Sequence, residues 1–226
     1  MTARDLILAR VREALSARRA TQAAPPARSD IARALPIVGE AYDEHVRAFA
    51  GNAALLRAGF HMVADLTAAA ALVARLADEH GWTRVASHQG ALTTAVAGSL
   101  ARDILWTDGG YSRSDLASCH ASITGCIALA AQTGSVLVAA DTCGGRTLSV
   151  LPPHHVVLAT RSQLVAGLLD AFALARASYG PNLPAFLSFI TGPSRTADIE
   201  RILVLGAHGP AKLDIVLIER EPAPAD

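Results

Sequence analysis

The sequence lacks a surplus of charge of either sign. Its 226 residues carry 20 Lys and Arg against 20 Asp and Glu, which excludes the basic excess that nonspecific nucleic-acid binding requires. Only one of those basic residues, Lys212, is a lysine. No apolar run approaches the roughly 20 residues needed to cross a bilayer, because Arg, Asp, Gly or Thr interrupts each candidate. The first ten residues hold Arg4, Asp5 and Arg10 and no cleavage-like sequence, so no signal peptide is read there. Cysteine is scarce: Cys119, Cys126 and Cys143 leave one thiol unpaired in any disulfide scheme and have no C-x-x-C spacing. That pattern fits a reducing compartment and argues against a zinc or iron–sulfur site built by this chain. The P-loop, the G-x-S-x-G elbow and the early G-x-G-x-x-G fingerprint are all missing. A cytoplasmic protein without membrane or nucleic-acid partner and without a bound cofactor is the expectation.

What is present is apolar. Hydrophobic residues make up 51% and charged residues 18%, a composition for a core-rich globular domain rather than a disordered chain. Residues 4–19 read as an amphipathic helix, and the Ala- and Pro-rich stretch after them reads as a linker. This divides the chain into a helical arm and linker at 1–30, an α/β domain at 31–220 and a solvated tail at 221–226. The arm packs back on the body or reaches a partner. A helix is predicted over 40–58 with Gly59 as its cap, then strands near 61–64, 84–87 and 104–106 alternating with helices over 67–80 and 90–101. Further strands are expected at 127–130, 136–138, 156–159, 186–190 and 213–218, with helices over 162–177 and 196–205. Strands alternating with helices of this length imply a largely parallel sheet covered on both faces. Thr133-Gly134 lies between two apolar runs and marks a tight connection between strands. His154 and His155 open a strand and should point to opposite faces, which makes them poor joint metal ligands.

Three segments could carry chemistry. In Ile190-Thr-Gly-Pro-Ser-Arg-Thr-Ala-Asp-Ile-Glu200 an apolar strand runs into Gly192, and Ser194, Arg195 and Thr196 precede a predicted helix holding Asp198 and Glu200. If that strand is parallel, Gly192, Ser194, Arg195 and Thr196 stand where open α/β sheets bind ligands, with helix amides and a guanidinium suited to phosphate or carboxylate. The competing reading is a well-capped helix with a structural Arg195–Asp198 or Arg195–Glu200 pair. Gly206-Ala-His-Gly-Pro210 contributes His208 and Gly209, as a base or as an anchor for the turn. Thr133, Gly134 and Ser135, with Asp141 and Gly144-Gly145-Arg146, could form a polar cradle, and hairpin loops fit them equally well. The expectation is one anion pocket at which all three segments meet.

The run Thr191-Gly-Pro-Ser-Arg-Thr-Ala-Asp-Ile-Glu200, with Leu205-Gly-Ala-His-Gly-Pro210 after it, resembles the lactate-utilization protein C family (LutC/YkgG type, carrying a LUD domain). Ile123-Thr-Gly125, Ala130-Ala-Gln-Thr-Gly-Ser135 and Leu148-Ser-Val-Leu-Pro152 fit the same family in order. The likeness is specific over about 120–218 and diffuse over about 40–120. The family often has an acidic residue before the Thr-Gly pair, where this chain has Gln132. The resemblance implies a three-layer α/β/α fold similar to CoA transferases, ribose-5-phosphate isomerase and folate cyclo-ligase. It also implies a place in a bacterial system that oxidises L-lactate to pyruvate, with the iron–sulfur clusters held by partner proteins. An accessory component binding a small anion or a partner is the first functional expectation. A stand-alone enzyme acting on a phosphorylated, nucleotide or CoA-linked substrate, with Asp141 or Asp198 as its carboxylate, is the second. A ligand-sensing module is the third.

Overall fold

The computed structural model describes residues 2–19, 36–196, 204–205 and 209–220. It divides into two units, 1–36 and 37–226. In the first, α1 (Ala3–Arg19) exposes Ile7, Val11 and Leu15 along one stripe. No helix among the described residues is long and apolar enough to cross a membrane.

The second unit is built on a six-stranded sheet, ordered β1-β12-β7-β4-β2-β3 and parallel throughout. These strands are β1 (Gly59–Val63), β2 (Arg84–Ser87), β3 (Asp103–Trp106), β4 (Ala121–Thr124), β7 (His154–Thr160) and β12 (Lys212–Ile218). Central β7 and β12 are apolar on both faces, as strands covered on both sides must be. On one face, α3 (Leu66–Glu79) and α4 (Ala91–Gly98) pack Leu72, Val73 and Val96 against Ile123, Leu158 and Val216. α3 repeats Ala69, Leu72, Val73 and Leu76 at helical spacing. It is capped by Asp65, whose carboxylate accepts from Ala68 N–H at 3.0 Å.

The other face carries α2 (Tyr42–Leu56) and a second, four-stranded sheet, β8-β5-β6-β9. Its members are β5 (Ala128–Ala130), β6 (Ser135–Ala139), β8 (Leu164–Val165) and β9 (Leu187–Ile190). Phe49 and Ala53 of α2, with Val136 and Val138, pack on Val157, Ile215 and Leu217. Behind the small sheet lies α6 (Leu168–Tyr179), whose Ala171 and Ala175 meet Leu137 and Ala139. A short helix, α5 (Arg113–Ala117), sits in the loop after β3.

The expected α/β architecture with a largely parallel sheet is found, and the second sheet is an addition. β5 and β6 pair antiparallel across Ala131–Gly134, with Gly134 at φ +66° and its α-carbon pressed against Asn52 of α2. The expected cap at Gly59 falls elsewhere: Arg57 takes the left-handed conformation, and Gly59 already belongs to β1. The predicted helix over 162–177 begins late. A 3-10 turn at Arg161–Gln163 and β8 come first, because Leu164 pairs with Leu129. The helix predicted over 196–205 is overturned at both ends. β10 (Arg195–Thr196) pairs antiparallel with β11 (Val204–Leu205), and 197–203 lie outside the described residues.

Candidate functional site

The order of the main sheet locates a crevice. From β2 the chain steps outward to β3, then returns to the other side of β2 as β4. The loops after β2 and β4 therefore leave in opposite directions, the arrangement that opens ligand sites at the carboxyl ends of parallel strands. Here lies a cavity of about 260 Å³, lined by His88, Gly90, Gly125, Asp141, Thr142 and Gln163 among others.

Its floor is the start of α4. Gly90 is the N-cap, in extended backbone, and supplies no side-chain oxygen to the helix. The first-turn N–H groups of an α-helix have no partner within it. Gly90, Ala91, Leu92 and Thr93 all line the cavity, so those donors and the positive end of the helix dipole face it. Gln89 N–H donates instead to Asp108 at 2.7 Å, which anchors the turn before the helix.

His88 forms one wall. Its Nδ1 lies 3.1 Å from the Gln89 carbonyl, and Gly125 N–H approaches Nε2 at 3.4 Å. The network assigns the proton to Nδ1. Burial pulls the imidazole below its ordinary pKa, outweighing the carbonyl and Asp108, which act to raise it. His88 is thus neutral at pH 7, with both nitrogens engaged by backbone, and serves to shape the wall.

A second wall comes from Asp141 and Thr142, at the start of the loop that runs to Thr147. Asp141 is exposed, and its Oδ1 accepts from Tyr179 at 2.7 Å and from Thr142 N–H at 3.0 Å. Burial first, then the hydrogen bond to Asp141, raises the Tyr179 phenol, so it remains a donor. The loop is locked against β2 and β3 by Gly144, at φ +63°. A Cβ there would lie 2.6 Å from His88 Cβ and 2.8 Å from Leu148 Cδ2 and Thr107 Oγ1. Thr107 donates to the Ser87 carbonyl at 3.2 Å and approaches that of Gly144 at 3.3 Å. Cys126 is at the back, and burial pushes its thiol up to about 12, so it is no thiolate nucleophile.

This differs from the single pocket that the sequence suggests. Gly192 follows β9, which is antiparallel to β6 in the small sheet, so the turn is not at the end of a parallel strand. Thr196 lies in β10 rather than at a helix start, and Asp198, Glu200 and His208 lie outside the described residues. Thr133, Ser135 and Thr191 join in a hydroxyl chain with steps of 2.7 and 2.8 Å, which brings Thr133 and Gly134 to the Gly192 turn. Arg195 is exposed, with a guanidinium nitrogen 3.4 Å from where a Gly192 Cβ would stand. Ser194 N–H donates to the Pro210 carbonyl at 2.8 Å, and Gly209 abuts the Ser194 side chain. Asp141 and Arg146 belong to the other end of β6. Ala139 pairs with Leu187 there, whereas Val136 pairs with Ile190 at the Thr133 end. The five residues of β6 separate the two groups by roughly 13 Å. Arg146 is exposed and lies over the Phe186 ring at 5.8 Å, so it supplies no cation to the Asp141 cavity. Gln132 turns to α6, its Oε1 3.5 Å from Leu168 N–H.

The residues that the sequence reading passed over are His88, Gly90 and Gly125. The signal was a glycine joining a strand to a helix, at 87–91, and a second glycine directly after β4.

The rim at the opposite, amino end of the sheet also gathers polar groups. Asp214 accepts from His61 Nε2 and from His154 Nε2, each at 2.6 Å. Gly59 makes room, since a Cβ there would lie 1.9 Å from Asp214 Oδ1. Burial alone would raise the Asp214 carboxyl, but the bonds from His154 and His61 outweigh it and hold it well below the usual carboxylate range. His155 points to the other face, as adjacent strand positions require, and bonds Thr124 at 2.8 Å. A hollow of about 740 Å³, lined by Trp82, Arg102 and Asp78, opens nearby. It is larger than the Gly90 cavity but meets the carboxyl end of α3, the wrong helix end for an anion. Among the described residues no group of three or more His, Cys, Asp or Glu could hold a metal ion.

Comparison with known proteins fits this architecture. The LUD domain family model matches residues 46–218. A protein from Anoxybacillus flavithermus named lactate utilization protein C is 39% identical over 88 residues, 39% of each chain. The Bacillus subtilis protein of that name is 34% identical over 90 residues, 39% of this chain and 38% of its own. A Deinococcus radiodurans protein of that name is 30% identical over 122 residues, 53% of this chain and 56% of its own. The matched segment thus spans about two-fifths of the length of the first two relatives and just over half of the third. A crystal structure of a DUF162 family protein from Deinococcus radiodurans superposes with a TM-score of 0.64 at 20% identity, over 80% of this chain and 99% of that one. With well over half of its length matched by the family model, this chain belongs to the LUD domain family.

Proposed function

We propose that this protein works in L-lactate utilization beside iron–sulfur partner proteins, and that the Gly90–Asp141 cavity binds a small carboxylate of that pathway. The observation that carries the reading is the uncapped start of α4 lining an open cavity together with Asp141. Its first-turn amides are placed to receive a carboxylate, and the dipole favours the anion by about 0.3–1 kcal/mol. Asp141, also in the lining, is the acceptor for a hydroxyl on the adjacent carbon, with Tyr179 and Thr142 N–H fixing its orientation. A 2-hydroxy acid presents those two groups side by side. With no Lys or Arg among the described residues of the lining, the affinity expected for such a ligand is modest. The names of the relatives support lactate as the substrate class.

The test is calorimetric titration of the purified protein with L-lactate and pyruvate, beside the variant Gly90→Asp. The aspartate caps α4 from within and occupies the anion position. Gly90 has extended backbone, and a new Cβ would lie 2.9 Å from the Thr93 hydroxyl and at ordinary contact distance, 3.4 Å, from His88 Cε1. Folding stability should therefore change by only a few tenths of a kcal/mol, while carboxylate binding falls at least tenfold. Unchanged binding in Gly90→Asp would remove this site from the account.

A further inference from the structure

Gln163 is a wall of more than the Gly90 cavity. A second cavity of about 410 Å³ adjoins it, and the two share Cys126, Thr142 and Gln163 as a common waist. The waist is rigid: Gln163 donates to the Cys126 carbonyl at 2.6 Å and accepts from Thr160 N–H at 2.7 Å. One hydrogen bond ties a wall of each chamber together, since Asp141 lines the first and Tyr179 lines the second. The chambers differ in chemistry. The first has helix amides and a carboxylate. The second presents Ile127, Leu174 and the Tyr179 ring, with Ser162 and Ser178 at its rim, and no charged side chain among the described residues. Apolar walls without a charge favour a ligand portion that is itself uncharged and apolar.

We propose that the two chambers form one cleft, which takes a 2-hydroxy acid with its carboxylate at the start of α4 and a short, uncharged aliphatic tail beside Leu174 and Tyr179. This rests on the carboxylate site proposed above and extends it from lactate to longer 2-hydroxy acids. Leu174, Ser178 and Tyr179 are then specificity-determining residues, and Asp141 couples tail recognition to the head site through Tyr179.

The experiment is a titration series on the full chain with L-lactate, 2-hydroxybutanoate, 2-hydroxypentanoate and 2-hydroxyhexanoate. Each added methylene that enters the second chamber should tighten binding about three- to fourfold. Ser178→Glu, at an exposed helix position, places a charge at the rim without disturbing the core; Leu174→Glu does so at the wall. Either variant should flatten the series by removing the gain per methylene over L-lactate, and Ser178→Glu keeps the test open if Leu174→Glu fails to fold. Equal affinities along the series in the wild type, with L-lactate bound, would overturn the second chamber's role and leave the head site standing. Tighter binding of 2-hydroxyglutarate than of 2-hydroxypentanoate would overturn the uncharged tail. Failure of every 2-hydroxy acid to bind would overturn the head site and the extension together.

Discussion

Asp214→Ala is expected to lower the folding free energy by about 3 kcal/mol, the lower end of the cost of removing one partner from a buried charged cluster. The carboxylate serves both His61 and His154, and His154 is almost fully buried, so its loss strands two imidazole N–H donors at once. For a domain of this size the melting temperature should fall by roughly 10 °C. A pH signature separates this from simple loss of packing. The Asp214 carboxyl is held below its ordinary range in the folded state. Its contribution is therefore complete above about pH 5 and is lost as pH falls through the unfolded value near 3.9 toward the folded one. Urea titrations of wild type and variant should differ most near neutrality and converge in acid. A gap that stays constant as the pH falls would show that the two imidazole bonds do not set the carboxyl's proton affinity.

The second large effect is expected from Gly144→Ala. Two costs combine at this position. Alanine at φ +63° is strained, and its methyl group would overlap His88, Leu148 and Thr107 at 2.6–2.8 Å. Overpacking costs about 1–3 kcal/mol, and the left-handed backbone adds about 1 kcal/mol. The loop can escape the overlap only by lifting away from β2, which carries Asp141 from the cavity. Stability should fall by about 2–4 kcal/mol in urea, and carboxylate binding should be lost at temperatures where the protein is still folded. Retained binding in a folded Gly144→Ala protein would show that the loop does not position Asp141.

These residues also show what the sequence makes legible. The main sheet could be read because its strands are short apolar runs between amphipathic helices with good boundaries, such as the Asp65 cap of α3 and Gly81 after its end at φ +62°. The β5–β6 turn could be read because Gly134 must turn left-handed between two apolar runs. The direction of β9 could not. An apolar run looks the same whether it pairs parallel or antiparallel, and only long-range pairing with β6 decides. With that direction wrong, Gly192 and Arg195 appear to end a parallel strand, whereas they follow a strand that is antiparallel to β6 in the small sheet. The Gly90 junction was equally visible at 87–91, but it carries no Lys, Arg or Cys, and its Ser87 and His88 side chains are engaged by backbone groups. Its chemistry lies in backbone amides, which every sequence has and only the strand order makes meaningful. Asp141 was legible as a candidate carboxylate. Its partner Tyr179 was not, because nothing local joins positions 141 and 179.

The most direct measurement is a crystal structure of the protein grown with L-lactate. The account predicts a carboxylate within hydrogen-bonding distance of the Ala91 and Leu92 amides, with the 2-hydroxyl turned to Asp141. Lactate seated instead among Thr133, Thr191 and Arg195, with the start of α4 left to solvent, would contradict it.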